Sequence, residues 1–458
     1  MVNDRLLSRR AFLSGMALTG TAGVLGTGGL LTSCGNTSHE NELKPLKAEM
    51  EWYIPESLPD KAIEGEPLKA GLIGCGRRGA GAVTDLLKAA SGITVVALGD
   101  VFQDRIDEVR QLLKDKCNQE VAASNCFTGF DSYQKVLAAD VDIVLLATPP
   151  AFRPLHFRAA VEAGKHAFLE KPVAVDPVGV RSVIATSKMA VAKGLSVITG
   201  TQRHHNRKYI EGYKQVRSGL IGEIVAADVC WNTGSHWLRM KDPKWTDMEW
   251  MLRDWGNWNW LSGDHIVEQH IHNLDVFNWF SGKKPLKAVG MGARQRRETG
   301  DQYDMFSVDY VYEGDVHVHS MCRQIDGCAN NIFETIWGTK GVWLNDDGIL
   351  DLEGNVLWQY DKEKEKAEFT QTSPYVLEHV DWINHIRSKQ PVCQAEESAV
   401  STLTAIMGRI SAYTGQEVTW DQLLTSELDL MPKDLTLRNL DLKTYPVPVP
   451  GKSKEIKE

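Results

Sequence analysis

The chain has 458 residues, of which 43% are apolar and 24% charged, and this composition excludes a disordered, collagen-like or multi-span membrane protein. The length allows about two or three domains. The 51 basic and 60 acidic residues give a net charge of −9. We therefore expect no nucleic-acid partner, because binding to a phosphate backbone needs a clustered positive surface.

The first 33 residues resemble an export signal. Arg9 and Arg10 precede an uncharged stretch, residues 11–33, that is too rich in Gly, Ser and Thr for a bilayer span. A twin-arginine signal tolerates such a region, and Leu31-Thr32-Ser33-Cys34 resembles the site where a bacterial lipoprotein is cleaved and acylated on its cysteine. We expect an exported protein, periplasmic or anchored to the membrane by a lipid on Cys34. The alternative is an ordinary secretory signal in which Cys34 is incidental.

Residues 34–67 are polar and rich in Glu, Lys and Pro, which predicts a tether and an N-terminal arm where no core begins. Between residues 68 and 200, short apolar runs alternate with helical patterns. The runs are Leu68–Ile73, Thr94–Gly99, Val141–Ala147, Ala167–Leu169 and Ser196–Thr199. Runs of this length are typical of parallel strands buried on both faces. The pattern predicts an α/β domain with a doubly wound parallel sheet of the Rossmann type.

Residues 201–430 have a different pattern. The segments 223–229 and 306–312 alternate apolar with polar residues, as strands of a half-exposed antiparallel sheet do. Between them lie a Trp-rich insertion and a predicted helix over residues 266–280, and residues 375–413 are again predicted to be helical. The pattern predicts a second, α+β domain with a mostly antiparallel sheet. Residues 431–458 are predicted to form an extended tail.

The turn Gly74-Cys75-Gly76-Arg77-Arg78-Gly79 follows the first predicted strand and opens a helix. The three glycines allow a tight turn, a close approach of the backbone to a pyrophosphate, and close packing of helix on strand. Asp100 ends the next strand, where a carboxylate accepts hydrogen bonds from an adenosine ribose and repels a 2′-phosphate. The spacing favours NAD over NADP, although Arg77 or Arg78 would suit that phosphate. An ordinary strand–turn–helix corner is the other interpretation.

A second group of residues has the chemistry of hydroxyl oxidation. Lys171 follows a predicted strand, at the sheet edge where open α/β folds bind ligands. Glu268, His272 and Asp275 share one face if residues 266–280 form a single helix. An imidazole beside a carboxylate can accept a hydroxyl proton, and an ammonium can stabilise an oxyanion. Two alternatives remain open, a polar helix cap and a metal site whose ligands would be His265, Glu268, His270 and His272.

Residues 68 to about 425 resemble the Gfo/Idh/MocA oxidoreductase family, which contains glucose–fructose oxidoreductase and inositol dehydrogenase. The motifs that carry the resemblance are the glycine turn, Ala163-Gly164-Lys165-His166, Glu170-Lys171-Pro172, Ile221-Gly222-Glu223-Ile224-Val225 and Gly338-Thr339-Lys340-Gly341. It implies that Lys171 and His272 are catalytic. Glu268 stands where the family has Asp as the partner of the histidine, with Asp275 as the reserve candidate.

The resemblance also implies ligand contacts. The implied cofactor contacts are Gly74, Gly76, Arg77, Arg78, Gly79, Asp100, Thr148, Pro149, His156, Glu170 and Lys171. The substrate contacts implied by position are Arg203, His204, Tyr209, Trp237, Arg253, Trp255 and Gln269. Aromatic faces stack on the C–H faces of sugars, whereas Arg, His and Gln suit vicinal hydroxyls. We expect a carbohydrate or polyol substrate, no bound metal, and a homo-oligomer formed through the outer face of the second sheet.

An exported dinucleotide enzyme meets little free NAD, so we expect it to hold its cofactor tightly and to regenerate it in place. Net oxidation of a sugar or glycoside hydroxyl is the first expectation, with C3 of a glycoside as a candidate position. Some relatives in the family are NAD-dependent glycosidases, which oxidise transiently, eliminate the aglycone, add water and return the hydride. That alternative ranks second because the chain lacks the His-Gly-Leu-Gly-Pro stretch of the N-acetylgalactosaminidase branch. A non-catalytic sugar-binding protein would lack the Lys or the His.

Overall fold

The computed structural model describes residues 49–345 and 348–453. The expected export signal, the tether and Cys34 lie outside the described residues. Within these ranges no helix has the length and apolar character needed to cross a membrane.

The first domain alternates strands and helices in chain order. Its strands are β1 (Leu68–Ile73), β2 (Ile93–Asp100), β3 (Cys126–Thr128), β4 (Ile143–Leu146), β5 (His166–Leu169) and β6 (Val197–Thr199). Its helices are α1 (Arg77–Ala89), α2 (Gln103–Cys117), α3 (Ser132–Ala138), α4 (Arg153–Glu162) and α5 (Pro177–Ala192).

The six strands form one parallel sheet in the order β3-β2-β1-β4-β5-β6. Residues of β4 are fully buried, because helices cover both faces of the sheet. The strand order reverses between β1 and β4, and in such sheets ligands bind beyond the carboxyl ends of the strands at this point. The predicted doubly wound Rossmann sheet is confirmed.

The second domain contains the remaining elements. Its helices are α6 (Arg207–Arg217), α7 (Asp247–Arg253), α8 (Asn259–Ser262), α9 (His265–Glu268), α10 (Ile271–Ser281), α11 (Lys362–Glu368), α12 (Pro374–Ser388), α13 (Ala395–Thr414) and α14 (Trp420–Thr425). Its strands are β7 (Ile224–Thr233), β8 (Lys287–Ala293), β9 (Met305–Tyr312), β10 (Val316–Gln324), β11 (Asn331–Gly338), β12 (Gly341–Leu344), β13 (Gly348–Asp351), β14 (Val356–Trp358) and β15 (Val418–Thr419).

These strands form a nine-stranded sheet in the order β14-β13-β12-β11-β7-β10-β9-β8-β15. All its pairs are antiparallel except β7 with β10. The predicted mostly antiparallel sheet is therefore confirmed. The long helices α12 and α13 return to the first domain, where they pack against α1 and α5 respectively.

The N-terminal arm differs from its prediction, because its described part contributes to the core. Trp52, Leu58 and Ala62 are each less than 10% exposed. The Tyr53 hydroxyl donates to Asp381 on α12 at 3.0 Å, and the Ala62 N–H donates to the Ala89 carbonyl at 2.8 Å. The arm therefore links the two domains. The apolar residues spaced along this otherwise polar segment are the sequence feature that indicates its burial.

Candidate active site

A cavity of about 800 Å³ lies at the carboxyl edge of the parallel sheet and extends beneath the second domain. Most of the residues predicted to bind the cofactor or the substrate line it. They are Gly74, Gly76, Arg77, Arg78, Asp100, Thr148, Pro149, His156, Glu170, Lys171, Trp237, Arg253, Trp255, Glu268, Gln269 and His272. Its wall also includes Gln202, Trp231, His236 and Tyr375, which sequence analysis did not identify.

The glycine turn is shaped to receive phosphates. Gly74 has φ +96°, and a Cβ there would lie 2.5 Å from the Thr148 nitrogen. A Cβ on Gly79 would lie 1.9 Å from the Gly74 carbonyl oxygen, so the missing side chain lets α1 pack closely. A Cβ on Gly76 would meet nothing within 4 Å, and Gly76 caps α1 without a side-chain acceptor. The first N–H groups of α1 thus remain available to a pyrophosphate, which fits the predicted dinucleotide.

Asp100 lies beside this turn as the last residue of β2. Its carboxylate accepts hydrogen bonds from the backbone N–H groups of Cys75 at 2.7 Å and Phe102 at 3.0 Å. Burial raises the pKa of Asp100 above its usual range. The two backbone donors fix its orientation and leave further lone pairs for the hydroxyls of a ribose.

The two arginines of the turn have different environments. Arg78 donates to Glu170, and also to Glu378 at 3.0 Å, and its guanidinium lies over the Tyr375 ring. Arg77 is exposed at the cavity wall. Because Arg78 is already paired with two buried carboxylates, it is a poor ligand for a 2′-phosphate, and Arg77 is the residue at which the NADP alternative remains open.

Lys171 follows β5, and the neighbouring backbone is fixed by a buried arginine of the first domain. The buried Arg153 donates to the Thr148 carbonyl at 2.9 Å and to the Pro172 carbonyl at 2.6 Å. The Lys171 ammonium donates to the backbone carbonyl of Glu268, and it lies 3.4 Å from Oε1 of the same residue. An ammonium has three N–H donors, so Lys171 keeps donors for a ligand in the cavity.

His272 lies in the first turn of α10 and is 6% exposed. Its ring stacks on Trp231 with a centroid separation of 5.8 Å, and no side-chain hydrogen bond joins it to the described residues. Burial, together with the positive charges of Lys171 and Arg203, lowers the pKa of His272 well below its usual range. The ring is therefore neutral at ordinary pH and can accept a proton.

The single helix predicted over residues 266–280 is wrong. The chain forms two helices, α9 and α10, and leaves the helical path at Gln269, where φ is −114°. Glu268 therefore does not lie one turn before His272 on a shared face, and it contacts Lys171 instead. Asp275, the reserve candidate, is buried away from the cavity, where it accepts from Ser401 at 2.7 Å and hydrogen-bonds with His204 at 2.7 Å.

Three predicted substrate contacts do not line the cavity. His204 is buried between the rings of Trp52 and Trp279 as the partner of Asp275. Arg203 forms a buried ion pair with Glu334. The Tyr209 hydroxyl donates to that same carboxylate at 3.1 Å. These residues satisfy buried charges beneath α10, so their polarity has a structural explanation.

Trp237, Trp255 and Gln269 do line the cavity. The two indoles meet edge to face with centroids 5.8 Å apart. The Gln269 amide hydrogen-bonds with His236 at 3.2 Å and accepts from Gln324 at 2.8 Å, which fixes its orientation. This part of the cavity has the aromatic and amide groups expected of a carbohydrate site.

Arg253 lines a different part of the cavity from the one predicted. Its guanidinium donates to Asp104 at 2.9 and 3.1 Å and to Glu249 at 2.9 Å. Asp104 lies in the first turn of α2, just after Asp100. Arg253 is therefore placed near the expected adenosine ribose rather than near Lys171.

The residues of the metal alternative lie in different environments. His265 hydrogen-bonds with Asp264 at 2.9 Å, and His270 with Ser320 at 2.7 Å. Across residues 49–345 and 348–453, no group of three or more His, Cys, Asp or Glu side chains is arranged to hold a metal ion.

Two family models match the chain. Residues 68–200 match the oxidoreductase family model GFO_IDH_MocA, an NAD-binding Rossmann fold. Residues 213–343 match the model of the GFO/IDH/MocA C-terminal domain. The matched regions contain the glycine turn, Lys171 and His272.

The curated relatives include glycosyl hydrolase family 109 proteins, an alpha-N-acetylgalactosaminidase of Shewanella oneidensis and inositol 2-dehydrogenases. A glycosyl hydrolase family 109 protein of Streptomyces coelicolor is 29% identical over 227 residues, 48% of this chain and 45% of the relative. An inositol 2-dehydrogenase of Salmonella agona is 25% identical over 212 residues, 46% of this chain and 54% of the relative. The chain thus spans about half the length of these two relatives.

The fold is also similar to that of solved structures. A scyllo-inositol dehydrogenase from Lactobacillus casei, crystallised with NAD(H) and scyllo-inositol, superimposes with a TM-score of 0.58 at 19% identity. The superposition covers 77% of this chain and 99% of that one.

Proposed function

Because the chain belongs to the Gfo/Idh/MocA oxidoreductase family and has its NAD-binding Rossmann domain, we propose that it oxidises a hydroxyl of a sugar, glycoside or polyol. One observation carries the proposal. The Lys171 ammonium and the neutral His272 ring line the same cavity as the glycine turn. Bound NAD would supply the hydride acceptor for this reaction.

Each of the two residues has a distinct role in the proposal. Oxidation of an alcohol needs a base for the O–H proton while hydride leaves the carbon. The His272 ring is neutral because its pKa is lowered, so it can take that proton. Lys171, with donors to spare beyond its bond to Glu268, stabilises negative charge on the substrate oxygen.

The substrate class is supported by the cavity wall. Trp231, Trp237 and Trp255 present indole faces and edges, and Gln269 presents an oriented amide. Flat aromatic surfaces with a few fixed polar groups suit a ring that has apolar C–H faces and polar edges. The inositol dehydrogenases among the similar proteins act on molecules of this kind.

Location and cofactor retention form part of the same proposal. The Arg9-Arg10 pair and the Cys34 motif support export, with or without a lipid anchor. An exported enzyme that binds NAD would carry it through export in the folded state and regenerate it with a second, carbonyl substrate. The purified protein is then expected to contain stoichiometric dinucleotide.

A second candidate function is favoured by the glycosyl hydrolase family 109 name among the curated relatives. In this function, transient oxidation acidifies a neighbouring C–H, the aglycone is eliminated, water adds and the hydride returns. The cycle uses the same acid–base pair and has no net redox change.

One assay separates the two functions. Purified protein is incubated, without added cofactor, with a panel of aryl glycosides, sugars and polyols and with a 3-keto-glucoside as acceptor. Oxidised sugar formed together with reduced acceptor supports the dehydrogenase. Release of the aglycone with no oxidised product supports the glycosidase instead, and no reaction with a broad glycoside and polyol panel contradicts both.

We also propose a homo-oligomer formed through the outer face of the nine-stranded sheet. Val289, Met291 and Met321 are exposed on that face, and grouped exposed apolar side chains are typical of protein interfaces. Light scattering on the purified protein and on Met291→Asp tests this. An unchanged oligomer in the variant would contradict the assignment of the face.

A further inference from the structure

Part of the Trp-rich insertion forms a wall of the dinucleotide cavity. We call residues 236–255 the cover segment. His236, Trp237, Leu238 and Arg239 line the cavity from this segment, as do Leu252, Arg253 and Trp255. The opposite wall near Asp100 consists of Val101, Phe102, Arg105 and Phe130 from the first domain. A ligand that extends from the glycine turn toward Asp100 would therefore lie between the two domains.

Arg253 connects the cover segment to the first domain through an ion pair. Its guanidinium makes two parallel hydrogen bonds to Asp104, at 2.9 and 3.1 Å. One face of the guanidinium lies 3.9 Å from the centroid of the Phe102 ring, and Trp245 lies 5.0 Å away. A bidentate pair of this kind is stronger and more directional than a single contact. The ion pair therefore bridges the two domains directly beside the expected position of the ribose.

The cover segment is also anchored at its base. The Asp254 carboxylate accepts from the Arg239 N–H at 2.8 Å, and the Trp250 indole donates to the Arg239 carbonyl at 2.7 Å. A second apolar core lies beneath α7, formed by Ala151, Phe152, Val175, Met248, Met251, Leu252, Trp258, Trp260 and Leu261. Because its base is buried, the segment holds a defined position over the cavity.

The C-terminal tail completes this anchor. The Met248 N–H donates to the Arg438 carbonyl at 3.1 Å, and the Leu440 N–H donates to Asp247 at 2.9 Å. Leu430, just before the tail, packs against the second core, as do the tail residues Met431, Leu435, Leu440, Leu442 and Tyr445. The described part of the tail thus stabilises the position of the cover segment. The sequence alone had indicated no role for the tail.

The side chains of the cover segment suit the adenosine half of a dinucleotide. Leu238 is 41% exposed and supplies an apolar surface. The Arg239 guanidinium has no hydrogen-bond partner among the described residues, and Arg105 of the opposite wall is a second cation nearby. An apolar surface beside two guanidinium groups suits an adenine base, because guanidinium planes stack on aromatic rings and their N–H groups can donate to its ring nitrogens.

We propose that the cover segment is part of the cofactor site, enclosing the adenosine half of NAD, and that the Arg253–Asp104 pair limits the rate of cofactor release. The proposal rests on the NAD site of the proposed function. The cover segment and this ion pair would be the structural reason for the expected tight retention of the cofactor. It also assigns Leu238, Arg239 and Arg253 to the cofactor rather than to the sugar.

The test measures release of bound NADH from the holoprotein, using energy transfer from the cavity tryptophans and a chase of excess NAD. Asp104→Asn and Arg253→Gln are each expected to release NADH about tenfold faster, because loss of one partner of a bonded charge pair acts mainly on dissociation. The double variant is expected to release no faster than the single variants. Release rates within twofold of the unmodified protein, or additive effects, would overturn the proposal.

Two features make the result interpretable. Arg158→Gln, which removes a surface ion pair with Glu162 on α4, is the matched control and is expected to release NADH at the original rate. Asp104 is half exposed, so its variant keeps the test available if Arg253→Gln fails to fold. The assay contains no sugar, and its outcome is therefore independent of which hydroxyl chemistry the site performs.

Discussion

The ammonium of Lys171 donates a hydrogen bond to the backbone carbonyl of Glu268, 97 residues further along the chain. This contact joins the edge of the parallel sheet to the end of α9 and so fixes the distance between the two domains at the site. It also orients the ammonium toward the cavity that His272 lines. The arrangement brings two groups from separate domains to one cavity, as the proposed oxidation of a hydroxyl requires.

Glu268 is expected to act through Lys171 and not through His272. Glu268→Gln would weaken the positioning of the ammonium and lower kcat about tenfold, the order of one lost charge-assisted contact. The lower limb of the pH–rate profile would stay in place, since that limb reports the imidazole. A shift of the limb toward lower or higher pH would show instead that Glu268 is the partner of the histidine.

His272 is expected to remain an active base in mildly acidic solution. The neutral ring is the reactive form and its pKa is lowered from its usual 6.5, so oxidation should keep its rate as the pH falls through 6.5. The measurement is kcat/KM for sugar oxidation across this range. An acid limb centred at or above 6.5 would contradict the assignment.

His272→Ala should lower the rate by about 10²–10⁴-fold with the cofactor still bound.

Asp100 is expected to set the preference for NAD. Asp100→Asn removes the charge that repels a 2′-phosphate while keeping an acceptor for the Cys75 N–H, so the preference for NAD over NADP should fall about tenfold or more. Equilibrium binding of both cofactors to the apoprotein measures this. If Asp100→Asn discriminates between the cofactors as before and Arg77→Ala loses affinity for NADP, the cofactor preference would be assigned to Arg77.

Tyr209 is expected to stabilise the fold without contacting substrate. Tyr209→Phe removes a donor to the buried Glu334 carboxylate and should cost about 1–3 kcal/mol of unfolding free energy. KM for the sugar should stay within twofold. A large increase in KM with unchanged thermal stability would restore the role that the sequence predicted for this residue.

Local patterns were sufficient to predict the two sheets and about half of the cavity wall. The apolar runs ending at Ile73 and Asp100 mark buried parallel strands, because strand length and burial leave a direct trace in composition. The carboxyl ends of such strands meet at one edge, so Gly74, Asp100 and Lys171 could be placed together without knowing any long-range contact.

The remaining errors arose from contacts that the sequence does not display. A continuous helical pattern hid the break at Gln269, whose amide is held by His236 and Gln324 from other elements. Polar residues such as His204 and Arg203 looked available for a ligand, yet each pairs with a buried carboxylate distant in the chain. Burial of a polar side chain is decided by tertiary pairing, which periodicity cannot show.

The most direct test of the central claim is a single-turnover measurement of cofactor reduction. Holoprotein is mixed with an oxidisable sugar or polyol identified by the assay above, and the near-ultraviolet absorbance of reduced nicotinamide is followed in the unmodified protein and in Lys171→Ala. The account predicts rapid reduction in the unmodified protein and a rate lower by about 10²–10³-fold in the variant, with equal cofactor content. Equal reduction rates in the two proteins would contradict it.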